Sequence, residues 1–590
     1  MTERIEANIV KHLQKACESV GCAVASVPIE IPSHKTLGDI TTSVAFTVAK
    51  KLSCSPQEAA EKIIAALSAL SFVSAIVAKN GFINFSLSRD TVLEAVFLAH
   101  KDSASYGAHQ WKSEEWLLEH TSANPNKAMH VGHLRNNVLG MAIANIAEFL
   151  GARVTRDYVS NDRGIAIARL MWGYLKFARK DGQEKTDLSY WHTHRDEWHT
   201  PESAKKRADI FVDELYVLGS KDFEERPDVE AIVRSLVVAW EKNDEPTRAL
   251  WELVMMYSQT GQELTLKRLG SKIDKVWYEH DHYQLGKELV AMGLKKGVFK
   301  KLDDGAILTD LSSYGLPDTI VAKADGTSLY ITQDIALTQL KQKAFRPDKM
   351  LWVVGVEQST ALAQVFAICE QLGIGPLARY THISYGWMSI KGQGSMSSRA
   401  GNVIYIDQLI DVAKEKILKK IDASRIGNIA PQDVAECVAL AAVKYSILRV
   451  GKNTNVQFDI DTSVSFEGDS GPYLQYTYAR IQSIRRKGQK EGIGEQLQSS
   501  IHAPADTQEI EHSIREFPWV VARSGNDLAP HYLCTYLNEL AQLCNTYYGK
   551  QVVINKNDEH SAHRMAVLST AGLVLRQGLL LLGIETLEQM

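Results

Sequence analysis

Residues 119–135 read EHTSANPNKAMHVGHLR, and what flanks them decides the fold. Just before them, residues 116–119 form a short apolar run suited to a buried strand. After them, residues 133–150 repeat apolar positions with a helical period, and residues 153–159 form a second strand-like run. Strand, polar loop, helix and strand make a βαβ crossing, the building block of nucleotide-binding parallel sheets.

Within the stretch, His130 and His133 stand three apart at the start of the helix, so both rings leave one face. A helix start carries free N–H groups and partial positive charge, which suits a phosphate. Gly132 takes a side chain away between the two rings and leaves a flat surface that a planar adenine could approach. Imidazoles can donate to phosphate oxygens as charge builds in an in-line displacement, and Lys127 adds a cation one turn earlier. H-x-x-H alone would equally suit a metal pair or two solvated histidines. The preceding strand, the glycine and the lysine favour the phosphate.

Outward from this unit, residues 165–270 are helical and charged, broken near Arg226-Pro227-Asp228, and read as an insertion in the sheet domain. Strand signals resume at residues 306–311, 329–332 and 350–355. From Leu409 onward the pattern is almost wholly helical: Leu533, Leu537, Leu540 and Cys544 share one face, as do Val567, Ala571, Val574 and Leu575. Residues 488–512 are a polar connection. At the other end, helical spacing covers residues 5–20, 44–52 and 59–70, followed by strands 72–78 and 81–87 around an Asn80-Gly81 turn. The expected fold is multidomain, α/β and all-α. It has a small N-terminal α/β domain (1–105), a Rossmann-type parallel-sheet domain with its helical insertion (106–405) and a C-terminal helical bundle (406–590). No repeat of solenoid period is present.

The chain of 590 residues is 45% hydrophobic and 23% charged, ordinary for a globular protein. A net charge of −4 gives no global field for nucleic acid, so any such binding would rest on local patches. Seven cysteines with no C-x₂-C pair support neither a zinc site nor a disulfide framework, and no metal-ligand set is expected. There is no signal-peptide pattern, and no apolar run approaches the ~18 residues of a bilayer span. A cytoplasmic protein with no membrane association is expected.

HVGH resembles the HIGH signature of class I aminoacyl-tRNA synthetases, and N-P-N-K-A-M-H-V-G-H-L-R is similar to the arginyl-tRNA synthetase version of it. Their second signature, KMSKS, has its counterpart in Ser395-Met396-Ser397-Ser398-Arg399, followed by Ala400-Gly401-Asn402. Both signature lysines are missing. The resemblance implies ATP held by Lys127, His130, Gly132, His133, Met396, Ser397 and Ser398. It also implies catalysis by His130 and His133, with Lys127 replacing the lost lysine and Arg399 as a helper.

An arginine pocket must meet a planar, permanently charged guanidinium, which carboxylates can grip bidentately. Glu119, Glu279 and Asp334 are available, and Tyr330 lies four residues before Asp334, where a strand-to-helix turn could aim both into one pocket. By resemblance, Tyr330, Asp334 and Glu279 hold the guanidinium, while Asn124, Gln358 and Glu119 meet the α-amino and carboxylate end. Gln333 stands where the family often has arginine. A pocket built on polar pairing can discriminate by ~10⁴ without an editing domain, and none is obvious. Residues 158–164 and 269–274 also match the family.

In the C-terminal region, Tyr473, Tyr476, Arg480, Tyr532 and Tyr547 could stack unpaired bases and hold phosphates, although tyrosines at helical spacing are also ordinary core. The strings GPYLQYTYAR and YLNELAQLCNTYYGKQVV resemble the family's anticodon-binding bundle, and residues 1–105 its domain for the tRNA elbow. The resemblance implies a monomer whose partners are ATP with Mg²⁺, L-arginine and tRNA(Arg). In the implied reaction arginine's carboxylate attacks the ATP α-phosphate, and the tRNA's terminal hydroxyl then attacks the adenylate, with tRNA needed for the first step. Two alternatives stay open: a nucleotidyltransferase of the same fold acting on another carboxylate, and an inactive RNA-binding relative.

Overall fold

The computed structural model describes residues 5–32, 35–182, 187–324, 329–392, 403–422, 424 and 426–590. Met396, Ser397, Ser398 and Arg399 lie outside these residues. The chain forms two compact units: residues 1–106, 480–518 and 539–577 in the first, and 107–479, 519–538 and 578–590 in the second.

In the first unit, strand Phe82–Leu87 lies between Ile40–Thr42 and Val73–Lys79 in an antiparallel sheet. Asn80 (φ 53°) and Gly81 (φ 81°) are both left-handed, as a tight hairpin turn requires. Helix Pro56–Ala66 starts with a proline in its first turn and a reciprocal Ser55–Glu58 cap. It packs with Ile5–Ser19 over a core that includes Ile9, Leu13, Ile63 and Phe85. A second buried feature is polar: the Glu511 carboxylate, fully buried, pairs with Arg89 and lies 3.2 Å from His563 Nε2.

The second unit is built on five parallel strands, β1 (Glu115–Glu119), β2 (Arg153–Ser160), β3 (Lys275–Tyr278), β4 (Lys349–Gly355) and β5 (Tyr380–Tyr385). Their spatial order is β5-β4-β1-β2-β3, the doubly wound order with a topological switch point between β1 and β4. Registers such as Glu119 with Asp157 and Trp352 with Glu119 bring the strand ends level. Trp116, Leu117 and Leu118 are buried, which is why β1 reads as a continuous apolar run.

Five helices matter for the site: α1 (Val131–Leu150), α2 (Glu245–Arg268), α3 (Tyr330–Phe345), α4 (Ser359–Gln371) and α5 (Pro431–Leu448). Helix α1 follows β1 and ends on left-handed Gly151. The expected insertion is helical: Ile165–Phe177, Leu188–Thr193, Ala208–Glu225 and Pro227–Glu241 precede α2 around a tryptophan-rich core of Trp172, Trp191, Trp198, Trp240 and Trp251.

Three expectations need correcting. Residues 329–332 are not a strand but the start of α3, where Leu329 O accepts from Thr332 N (3.0 Å) and Gln333 N (3.3 Å). The β-branched pair Ile331-Thr332 suggested a strand, but the Thr332 hydroxyl donates to the Val321 carbonyl and Ile331 packs on the core, which suits the helix. The helical region after residue 409 contains a strand, Val456–Phe458, paired in parallel with Met388–Ile390. Finally, helix Ser561–Leu581 is long and apolar enough to span a bilayer, but 72% of that window is buried within the protein.

Candidate active site

Helix α1 is capped by its own histidines. His130 is the N-cap, in extended conformation; its Nδ1 accepts from Gly132 N (3.2 Å), and its N–H donates to His133 Nδ1 (3.2 Å). The rings lie 4.0 Å apart. Burial, and then the Lys127 charge, lowers His130 to about 4, while burial and the His130 and Lys127 charges hold His133 well below its ordinary value. Both imidazoles are therefore neutral near pH 7. With Nδ1 accepting, the proton sits on Nε2, so each ring offers one N–H donor outward. A Cβ on Gly132 would come within 3.0 Å of the His130 ring. Any larger residue would make the His130 ring give by a few tenths of an ångström.

The loop before α1 is held by Gln262, which carries no sequence signal of its own, and by Tyr158. Gln262 on α2 donates to Asn124 O (3.1 Å) and Lys127 O (3.0 Å), and the Tyr158 hydroxyl donates to Ala123 O (2.6 Å). Beyond the loop, Val131 N donates to Ile404 O and Ile406 N to Met129 O, both at 3.1 Å. The segment after the second signature is thus stitched to the start of α1. Tyr405 donates to Asp213 (2.6 Å), whose carboxyl burial pushes up to about 6 against the pull of Lys127.

A cavity of about 550 Å³ opens here, lined by His130, Gly132, His133, Gly355, Tyr385 and Trp387 among others. It lies at the switch point, where doubly wound sheets bind ligands. Arg135, one turn into α1 and buried, donates to the carbonyls of Gly386, Trp387, Gly451, Lys452 and Thr454 at 2.6–3.5 Å. It clamps the cavity wall to α1 and leaves the Trp387 ring 64% exposed.

Three expected carboxylates converge. Asp334, reachable by solvent but ringed by protein, is pushed up to about 7 by that enclosure and by Glu119 and Glu279, with Lys341 acting the other way. Burial likewise raises Glu279 to about 7, opposed by Arg163, whose guanidinium is 3.7 Å away. Glu119 accepts from Lys341 Nζ (2.7 Å) and from Ser122 Oγ (3.1 Å). Three neighbouring carboxylates facing Lys341 and Arg163 make a locally acidic cluster, which suits a cationic ligand.

The other candidates are more dispersed. Asn124 is exposed beside Asn161 (3.1 Å), and Gln358 is exposed at the start of α4. Tyr330 is 89% exposed, so it is not enclosed with Asp334. Tyr473, Tyr476, Arg480 and Tyr532 are half-buried. Arg480 lies over the Tyr548 ring at 4.4 Å, and Tyr532 carries Arg523 at 4.0 Å. Tyr547 is only 8% exposed and packs in the interior, leaving no face for a base. Among the described residues no group of three or more His, Cys, Asp or Glu could hold a metal.

Three family models together match most of the chain. The model described as "tRNA synthetases class I (R), catalytic domain" matches residues 95–460, the "DALR anticodon binding domain" 474–590, and the "Arginyl tRNA synthetase N terminal domain" 3–87. A protein named arginine–tRNA ligase from Bacteroides fragilis is 31% identical over 617 residues, covering 100% of this chain and 99% of the relative. One of the same name from Treponema denticola is 31% identical over 588 residues, covering 96% and 95%. The solved arginyl-tRNA synthetase of Thermus thermophilus superposes with a TM-score of 0.83 at 23% identity, covering all of both chains. That of Plasmodium falciparum gives 0.79 at 19%, covering 100% and 99%.

Proposed function

Because the chain belongs to the class I arginyl-tRNA synthetase family, we propose that it activates L-arginine with ATP and transfers the arginine to the 3′-terminal adenosine of tRNA(Arg). The observation that carries this reading is the pair of neutral imidazoles at the α1 start beside Gly132, facing the cavity at the switch point. In the first step an oxygen of the arginine carboxylate bonds to the ATP α-phosphorus, and the bond to the β-phosphate oxygen breaks, releasing pyrophosphate. Nε2–H of His130 and of His133 donates to phosphate oxygens as charge accumulates, and Lys127 supplies the cation. In the second step the tRNA hydroxyl attacks the arginyl carbonyl, and AMP leaves.

Asp334 and Glu279 meet the guanidinium with Tyr330. Glu119, Asn124 and Gln358 meet the α-ammonium and carboxylate. Met396, Ser397 and Ser398 contribute to ATP binding, with Arg399 a secondary cation. Magnesium arrives on the triphosphate and neutralises part of its charge. Residues 106–405 carry this chemistry, residues 1–105 contact the tRNA elbow, and residues 406–590 bind the anticodon region, with Tyr473, Tyr476, Arg480 and Tyr532 available to RNA. The enzyme works as a cytoplasmic monomer without a membrane.

ATP–pyrophosphate exchange and tRNA charging, run with each amino acid with and without total tRNA, test the reading. Arginine-specific charging, with exchange that requires tRNA, is expected. Exchange with a different carboxylate and no charging would instead assign a nucleotidyltransferase. RNA binding without either activity would assign a non-catalytic relative.

A further inference from the structure

We propose that Lys341 is a positioning residue for amino-acid recognition: its ammonium, held between Glu119 and Asp157, fixes the Glu119 carboxylate and sets the net negative charge that the pocket presents to arginine. This rests on the carboxylate pocket being the arginine site.

The parallel register places Glu119 directly beside Asp157, at the ends of β1 and β2. Two carboxylates side by side repel each other, and alone one of them would take up a proton. Lys341 reaches in from α3: its Nζ lies 2.7 Å from Glu119 Oε2 and 2.6 Å from Asp157 Oδ2, and the side chain is 1% exposed. The same Asp157 oxygen accepts from Trp277 Nε1 at 2.9 Å. Although burial works against it, the Asp157 and Glu119 carboxylates hold the Lys341 ammonium above its ordinary value. Asp334 lies on the same helix, two turns earlier, so α3 offers the pocket an acid and the pocket's floor a base. The charged and titratable groups around them are Glu119, Asp157, Glu279, Arg163, His282 and Cys369. Removing the ammonium would leave Glu119 and Asp157 in repulsion and free to turn. It would also remove the field that favours ionised Asp334. A purely structural ion pair would affect both substrates alike, whereas this one acts on arginine.

The test compares wild type with K341R, K341Q and K341M in arginine-dependent ATP–pyrophosphate exchange with tRNA present. KM is measured for arginine and for ATP from pH 6 to 9. K341Q and K341M should raise the arginine KM at pH 7 by on the order of tenfold or more, leave the ATP KM unchanged, and shift the pH profile of arginine use upward. K341R should restore both. Should K341M fail to fold by circular dichroism, K341Q, which keeps a hydrogen-bond donor, carries the same comparison. A wild-type arginine KM in K341Q, equal losses for ATP and arginine, or an unshifted profile overturns the role of Lys341. A wild type showing no arginine dependence overturns the pocket reading instead.

Discussion

In the proposed reaction His130 and His133 act as neutral donors, which fixes the sign of their pH dependence. With His130 lowered from 6.5 to about 4, no imidazolium is lost as pH rises from 6 to 8, and the adenylation rate should not fall over that range. The unfolded chain takes protons below 6.5 and the fold resists them, so the stability these rings contribute is present above pH 6.5 and drains as pH falls toward 4. Asp334 has the opposite sign. Its carboxyl, raised to about 7, must ionise to grip a guanidinium, so the arginine KM should fall as pH rises from 6 to 8, by up to about tenfold per unit below the pKa. In D334N that slope should flatten to the part that Glu279, also raised to about 7, contributes, and an undiminished slope would place the titrating group elsewhere. Lys127→Ala should lower the adenylation rate by about a hundredfold or more, the scale of losing one transition-state donor, and Ser398→Ala far less. Equal losses in single-turnover assays would move the compensating charge away from Lys127. Glu119, Glu279 and Asp334 stand out only through resemblance to the family's arginine-binding set, whereas HVGH was legible because residue type and spacing state its chemistry. Lys341 was not, because a lone lysine within a helix looks like surface, and its partner Glu119 is 222 residues away.

At the scale of elements, α1 and β1 announced themselves through period and length, and the parallel order followed from the βαβ crossing. Helix α3 was misread at its start because two β-branched residues imitate a strand until a tertiary carbonyl, Val321 O, takes up the Thr332 hydroxyl. The Arg135 clamp was hidden for a related reason: its acceptors are main-chain carbonyls, which carry no residue identity. Arg135→Lys keeps the charge but cannot span both the 386–387 and 451–454 segments. Leaving carbonyls unpaired should cost about 1–3 kcal/mol in urea denaturation and raise the ATP KM, since Trp387 and the cavity wall lose their hold on α1. An unchanged ATP KM in a destabilised variant would make the clamp structural only.

Across the whole molecule, the domains read from the sequence, 1–105, 106–405 and 406–590, are divided differently from the two compact units, since 406–479 stands with 107–405. Residues 480–518 and 539–577 group with the first unit, and 519–538 and 578–590 with the second. Amphipathic period reveals a helix but not which neighbours it will join, so this could not be read beforehand. Within the second unit the last residues are fastened to the helices behind α1: Lys444 on α5 donates to Gly583 O (2.6 Å), Gln475 to Glu585 O (2.6 Å) and Tyr478 to Glu588 (2.8 Å), with Ile584 buried. Helix α5 packs on α1. Deleting residues 583–590 should therefore destabilise the unit by on the order of 4 kcal/mol, lowering adenylation as well as charging. Undiminished exchange in the truncated protein would show that the α1 site does not depend on this fastening.

The order β5-β4-β1-β2-β3 also sets a schedule for synthesis. Strand β1 can pair with β2 almost as soon as both leave the ribosome, yet β4, its other neighbour, follows only after the entire helical insertion and more. With Lys341 trailing Glu119 by 222 residues and translation running at roughly 5–20 residues per second, the open edge of β1 waits on the order of 10–40 s for its partner. During that interval an apolar strand stands half-zipped in the nascent chain. Chaperone dependence and sensitivity to codon speed are to be expected between residues 160 and 350, ahead of any defect in the finished enzyme.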